Sequence, residues 1–126
     1  MMNADNKAPT DLKVRTKQFA LRVIRVFTSL PVNTLGQTLG KQVLRSGTSV
    51  GAHYREACRA RSDAEFISKI EGGLQELEET VYWLELVTEA QLIPADRLTE
   101  LLQEASELNA ILTASVRTVK ARLAKS

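Results

Sequence analysis

The segment SDAEFISKIEGGLQELEETVYWLELV, residues 62–87, decides the predicted fold because it combines a helix start with a long helical period. Ser62 and Glu65 are spaced as a capping box, in which each side chain accepts a hydrogen bond from a backbone N–H that the first turn leaves exposed. Apolar residues then recur every three or four positions, which places them on one face of a helix. They are Phe66, Ile70, Leu74, Leu77, Val81 and Leu84. We therefore predict an amphipathic α-helix, with a break at Pro94.

Three further helices are predicted from the same kind of apolar period. Their ranges are about 11–30, 34–59 and 95–123. Thr10 or Asp11 is expected to cap the first, which Pro31 ends, and Thr34 is expected to cap the second. The apolar seam expected for the last helix contains Leu101, Ala105, Leu108, Leu112, Ser115 and Val119.

Four helices joined by short connections predict an all-α fold, an antiparallel up-down-up-down four-helix bundle. We expect a flexible N-terminus at residues 1–10 and a single four-helix-bundle domain at 11–126. The only cysteine, Cys58, leaves no internal disulfide, which favours a reducing cytoplasm. No window approaches the ~20 apolar residues of a membrane span, so we expect no membrane association of that kind.

The helix at 62–87 carries more apolar surface than one core can cover. Tyr82, Trp83, Leu86 and Val87 are expected to lie away from the core and to form an oligomer interface, with the two aromatic residues as anchors. In the first helix, Leu21 and Ile24 lie off the main apolar face in the same way. The alternative is a wide apolar stripe covered by a neighbouring helix of the same chain.

The residues that commonly carry catalysis or bind metals are sparse. His53 is the only histidine, and its pairing with Glu56 gives at most two metal ligands where three or four are normally needed. Cys58 lies about 140° around the helix from His53, so that histidine cannot serve it as a base within the helix. We therefore predict no catalytic residue, no metal site, no cofactor and no enzymatic activity.

Three glycines of the second helix share one face. Gly40, Gly47 and Gly51 lie on the side that also contains Tyr54 and Cys58. A glycine inside a helix costs about 1 kcal/mol relative to alanine, so three on one face indicate a close approach to another helix. This side is predicted to be a close-packing face.

A basic stripe follows the flank of the same helix. It contains Lys41, Arg45, Thr48, Ala52, Arg55 and Arg59, and Arg61 follows at the helix end. Four cations with small residues between them suit contacts with phosphates, to which Lys13 and Lys17 of the first helix can add. The alternative is a solvated face, or ion pairs with an acidic row at Glu71, Glu78, Glu85 and Glu89.

Residues 45–87 also resemble a known protein family. The matching features are Arg45-Ser46, Thr48–Ala52, Glu56, the Arg59-x-Arg61-Ser62 corner, Ala64–Phe66 and the run Leu74-x-x-Leu77-x-Glu79-x-x-x-Trp83-Leu84. With a looser likeness over about 12–120, the chain resembles the four-helix-bundle proteins encoded by intervening sequences of bacterial 23S ribosomal RNA genes. His53 stands where relatives commonly carry Asn.

The resemblance implies an antiparallel bundle that assembles as a ring-shaped homopentamer without established enzymatic activity. The family is similar to the accessory variability determinant of diversity-generating retroelements, a pentamer that binds nucleic acid and a reverse transcriptase through basic surface. From the stripe and the resemblance together, we expect a non-catalytic homo-oligomer that binds RNA or another nucleic acid. Its predicted contacts are Lys41, Arg45, Arg55, Arg59 and Arg61. The alternative is a protein-interaction scaffold that binds no nucleic acid.

Overall fold

The computed structural model describes residues 11–125 and contains four α-helices and no strand within that range. The helices are α1 (Leu12–Ser29), α2 (Thr34–Cys58), α3 (Asp63–Glu89) and α4 (Thr99–Ala124), and a short 3-10 helix at Ala95–Arg97 precedes α4. The all-α prediction is confirmed for these residues, and the four helices are consistent with a bundle. The segment expected to be flexible, residues 1–10, lies outside the described residues.

Side-chain caps begin the first two helices. The Oδ1 atom of Asp11 accepts a hydrogen bond from the backbone N of Lys13 at 2.9 Å, as expected for the cap of α1. The cap of α2 is Asn33, whose Oδ1 atom accepts from the backbone N of Gly36 at 2.8 Å. The expectation that Thr34 caps α2 is wrong by one residue, because Thr34 already lies within the helix.

The capping box at the start of α3 is present with a shift of one residue. The Oγ atom of Ser62 accepts a hydrogen bond from the backbone N of Glu65 at 3.0 Å. The carboxylate of Glu65 accepts from the backbone N of Arg61 at 3.1 Å, one residue before the expected donor. The two bonds satisfy N–H groups on both sides of the corner between α2 and α3.

The connection between α3 and α4 is longer than the sequence indicates. The helix α3 ends at Glu89, well before Pro94, and Gln91 then adopts a left-handed φ of 62°. The 3-10 turn occupies the region where α4 was expected to begin, and α4 itself begins at Thr99 without a side-chain cap.

The core is formed by apolar residues from all four helices. Its fully buried members include Phe19, Val23, Val43, Val50, Ile70, Leu77, Leu84, Val87, Leu108 and Leu112. The seam of α4 differs from the expected one at a single position, because Val116 is buried there and Ser115 is only half-buried. No helix within residues 11–125 combines the length and apolarity needed to cross a membrane.

Glycines set the distance between α1 and α2. A Cβ at position 47 would lie 2.7 Å from both Cγ atoms of Val23, and one at position 40 would lie 2.9 Å from atoms of Phe27 and Leu30. At position 51 a Cβ would lie 3.1 Å from the Thr16 hydroxyl oxygen. The predicted close approach is confirmed. Residues earlier in α2 contact residues later in α1.

Two other helix pairs, α2 with α3 and α1 with α4, are joined by buried polar contacts. Ser46 of α2 and Thr80 of α3 are both fully buried, and their hydroxyl oxygens lie 2.9 Å apart. Arg15 of α1 is 8% exposed, and its guanidinium donates to Glu104 of α4 at 2.6 and 2.8 Å and to Glu107 at 2.7 Å. The hydrogen bonds to these carboxylates raise the pKa of Arg15, and the bond from Arg15 lowers the pKa of Glu107.

We predict that Gly47→Ala destabilises the protein by about 1–3 kcal/mol, because the new methyl group must displace Val23 in a packed core. Helix propensity alone predicts the opposite sign, a gain of about 1 kcal/mol. The measurement is the free energy of unfolding in urea. The control is the pair Gly47→Ala with Val23→Ala, whose combined cost should be less than the sum of the two single costs. A stabilised Gly47→Ala protein would show that the contact is loose.

We predict that Arg15→Met lowers the free energy of unfolding by about 3 kcal/mol, because the nearly buried carboxylate of Glu104 then has no cation beside it. Adding Glu104→Met should restore most of that loss, since two apolar side chains can replace a buried ion pair at little cost. Thermal and urea unfolding at pH 7 provide the test. Equal stability of Arg15→Met and the wild type would contradict a structural role for this pair.

Candidate nucleic-acid interface

A shallow groove runs between α1 and α2 on the side where the glycines bring the helices together. Its volume is about 260 Å³. It is lined by Thr16, Lys17, Ala20, Thr48, Gly51, Ala52 and Arg55. Apart from Lys17 and Arg55, which belong to different helices, the lining residues are small.

The structure brings cations of both helices to this groove. Lys13, Lys17 and Arg55 are all exposed, and Nη2 of Arg55 lies 3.5 Å from the backbone O of Lys13, to which it donates. Arg55 therefore reaches across to the start of α1. Lys13 and Lys17, which the sequence only suggested as additions, lie on the same surface as the stripe of α2.

Arg45 differs from the other cations of the stripe because α3 binds it. Its Nη1 atom lies 3.1 Å from Glu76 and its Nη2 atom 2.7 Å from Glu79. The hydrogen bond to Glu79, followed by that to Glu76, raises the pKa of Arg45. Ion pairing with α3 was the alternative to phosphate binding, and for this residue it is present, although not with the expected acidic row. Within that row, Glu71 pairs with Lys120 of α4 at 3.2 Å.

The remaining cations of α2 and its corner face outward. Lys41, Arg59 and Arg61 are exposed, and within residues 11–125 none of their side chains forms a salt bridge. Glu56, the acidic residue nearest to Arg59 along the helix, is held at 3.1 Å by Lys69, which lowers the pKa of Glu56. From Lys41 to Arg59 the stripe extends about 27 Å at ~1.5 Å per residue.

His53 and Cys58 lie outside the groove. The imidazole of His53 packs on Gly72 of α3, and its Nδ1 atom is buried without a hydrogen-bond partner within the described residues. Cys58 was expected on the packing face but is exposed. Arg55, one turn earlier in α2, already contacts Lys13 at the start of α1, so Cys58 lies past the point where α1 begins. Burial raises the pKa of Tyr54 to about 12, and Cys58 adds a smaller effect. Residues 11–125 contain no cluster of three side chains able to hold a metal.

The four residues expected at an oligomer interface fall into different environments. Tyr82 is 53% exposed and contacts Trp83 edge-on, with ring centroids 5.1 Å apart. Trp83 and Leu86 are half-buried against the core, and Val87 is fully buried in it. The expected outward orientation of Val87 is wrong, because this residue follows Leu84 by three positions and so shares its face. On α1, Leu21 and Ile24 are exposed at 45% and 39%.

Glu76, Glu79, Glu104 and Glu107 bind arginines, yet the sequence patterns did not identify them. A signal exists in their spacing. Glu76 and Glu79 are three residues apart, as are Glu104 and Glu107, and this spacing lets two carboxylates of one helix face the same guanidinium. That spacing is too common in an acidic helix to select these pairs without knowledge of which helices are neighbours.

Comparisons with known proteins place the chain among related sequences and structures. The model of a family described as 23S rRNA-intervening sequence protein matches residues 10–114. A crystal structure from Bacteroides thetaiotaomicron is similar, with 37% identity and a TM-score of 0.77 over 82% of this chain and 96% of that one. That structure is described as one of a protein with unknown function from the S23 ribosomal protein family. The comparison with curated proteins gives no match. Neither of the two descriptions names a catalytic activity.

Proposed function

The chain belongs to the 23S rRNA-intervening sequence protein family, and we propose that it is a non-catalytic, homo-oligomeric helical bundle that binds the phosphate backbone of RNA. The observation that carries the proposal is the groove between α1 and α2, where Lys17 and Arg55 stand on either side of a floor of small residues. This basic surface is extended by Lys13, Arg59 and Arg61. Lys41 lies farther from the groove, toward the start of α2.

The proposed contacts are to phosphates and not to bases. Direct reading of unpaired RNA bases commonly uses aromatic side chains for stacking, and no residue that lines the groove is aromatic. Lysine and arginine at an open surface neutralise phosphates and release counterions, so the affinity should fall steeply as salt is added. Arg45 contributes less, because Glu76 and Glu79 already neutralise it.

The proposal includes assembly of an antiparallel bundle into a ring-shaped homopentamer in the cytoplasm. Exposed apolar side chains on two helices support self-association, namely Leu21 and Ile24 on α1 and Tyr82 on α3. The single cysteine favours the reducing compartment.

A protein-interaction scaffold without nucleic acid is the second candidate function. It is favoured by the exposed ring of Tyr82 stacked edge-on against Trp83, since such residues concentrate the energy of protein interfaces. A scaffold of this kind would keep its partner in native extract after nuclease treatment, whereas a partner held through RNA would be released.

We predict that Lys17→Glu with Arg55→Glu lowers the affinity for a mixed-sequence RNA duplex about 100-fold at low salt, because two contacts become repulsive. The slope of log affinity against log salt should also fall by about 1–2. Fluorescence anisotropy at several salt concentrations measures both quantities.

The matched control for this test is Arg117→Glu with Lys125→Glu, which reverses the charge of two exposed cations in α4 and at its C-terminal end. It changes the net charge of the chain equally and should alter the affinity by less than about threefold if binding is local. Within the stripe, Arg45→Gln should cost less affinity than Arg55→Gln. Equal losses in both double variants, or no salt-sensitive binding by the wild type, would overturn the RNA-binding proposal.

We predict that light scattering at micromolar concentration gives a mass near five times the 14.0 kDa of one chain. Tyr82→Glu should reduce this mass, because a buried interface does not tolerate an unpaired carboxylate. The matched control is Val32→Glu, which introduces the same charge at a side chain that is 92% exposed. A wild-type monomer would contradict the proposed assembly, and an unchanged mass for Tyr82→Glu would exclude Tyr82 from the interface.

A further inference from the structure

A second basic hollow lies at the corner where α1 ends and α4 begins. Its volume is about 410 Å³. Arg22 and Arg25 of α1 form one wall, and Arg97 of the 3-10 helix forms the other. The apolar part of its lining includes Val26 and Leu101, which are both nearly buried. The hollow therefore combines cationic walls with an apolar base.

The three arginines differ from Arg15 and Arg45, which each bind two carboxylates. Within residues 11–125, the side chains of Arg22, Arg25 and Arg97 form no salt bridge and no hydrogen bond. The hollow has three arginines and two carboxylates, Asp96 and Glu100, so its lining carries a net positive charge that favours an anionic ligand.

Two carboxylates complete the lining. Asp96 belongs to the 3-10 helix and Glu100 to the first turn of α4, and both face the same hollow without pairing with its arginines. A carboxylate is an acceptor of hydrogen bonds from hydroxyl groups. A ligand that places an anion at the arginines and hydroxyls at the carboxylates would match both kinds of group.

We propose that this hollow binds a small phosphorylated polyol, such as a sugar phosphate. The phosphate contacts Arg22, Arg25 and Arg97, the hydroxyls donate to Asp96 and Glu100, and the carbon skeleton packs on the apolar base. The volume of the hollow lies in the range of small-molecule sites and exceeds what a bare phosphate ion fills.

The hollow is separate from the proposed RNA surface. Lys17 of α1 and Arg55 of α2 line the groove between those two helices, whereas Arg22 and Arg25 of α1 line a hollow that also contains Glu100 and Leu101 of α4. Binding at the hollow can therefore be measured while the RNA surface is altered, and the reverse. If no ligand binds at the hollow, the proposal of RNA binding is unaffected.

The experiment is a titration of the full chain with ribose 5-phosphate, followed by NMR of the backbone amides and the arginine Nε–H groups at constant ionic strength. We expect saturable shifts confined to the residues around Arg22, Arg97 and the start of α4. Inorganic phosphate should bind at the same place but at least threefold more weakly, since it lacks the sugar hydroxyls and the carbon skeleton, and ribose should produce no saturable shifts.

The variant Arg22→Gln with Arg97→Gln should weaken ribose 5-phosphate binding at least tenfold, because two charge-assisted contacts are lost. Both side chains are polar and lie at the rim, and a thermal melt verifies that the variant folds. The matched control, Lys17→Gln with Arg55→Gln, removes the same charge from the RNA surface and should leave this affinity unchanged. Non-saturable shifts, shifts centred elsewhere, or equal losses in the two variants would overturn the proposed site.

Discussion

The close approach of α1 and α2 is the constraint on which the proposed binding surface depends. Three glycines of α2 lie directly against α1, and at Gly47 even a methyl group would lie 2.7 Å from Val23. Because no side chain separates the helices there, the groove above this contact is shallow and its floor contains only small residues. Lys17 of α1 and Arg55 of α2 consequently line the same groove.

The helix α2 has different surfaces on its two sides, and this difference divides its arginines between two roles. Toward α3 it presents Ser46, which bonds to Thr80, and Arg45, which two glutamates bind. Away from α3 its cations meet few carboxylates, since the acidic residues of the chain are concentrated in α3. The position of a cation around the helix, and not its place in the sequence, therefore decides whether it is neutralised within the chain.

The sequence predicts the elements well because helix starts, breaks and apolar periods are local. The caps at Asp11 and Ser62 and the glycine contact follow from such signals. What it does not predict depends on where the helices lie beside one another in the assembled fold. Cys58 is exposed because Arg55, one turn earlier, already contacts Lys13 at the start of α1. The burial of Val87, by contrast, agrees with its spacing of three residues from Leu84. The partners of Arg15 and Arg45 could not be chosen, since a chain with 17 basic and 15 acidic residues allows many pairings until neighbouring helices are known.

The proposed self-association and the proposed RNA binding make different demands on the surface of the chain. A stable interface between copies buries apolar side chains, and the exposed ones include Leu21 and Ile24 of α1 and Tyr82 of α3. The outer face of α2 carries cations that form no salt bridge within the described chain, and burying it would cost the desolvation of each charge. The proposed ring would therefore keep that face in solvent and repeat it once per copy. Several copies of a weak phosphate-binding surface on one rigid body bind one polyanion with a combined affinity far above that of a single copy.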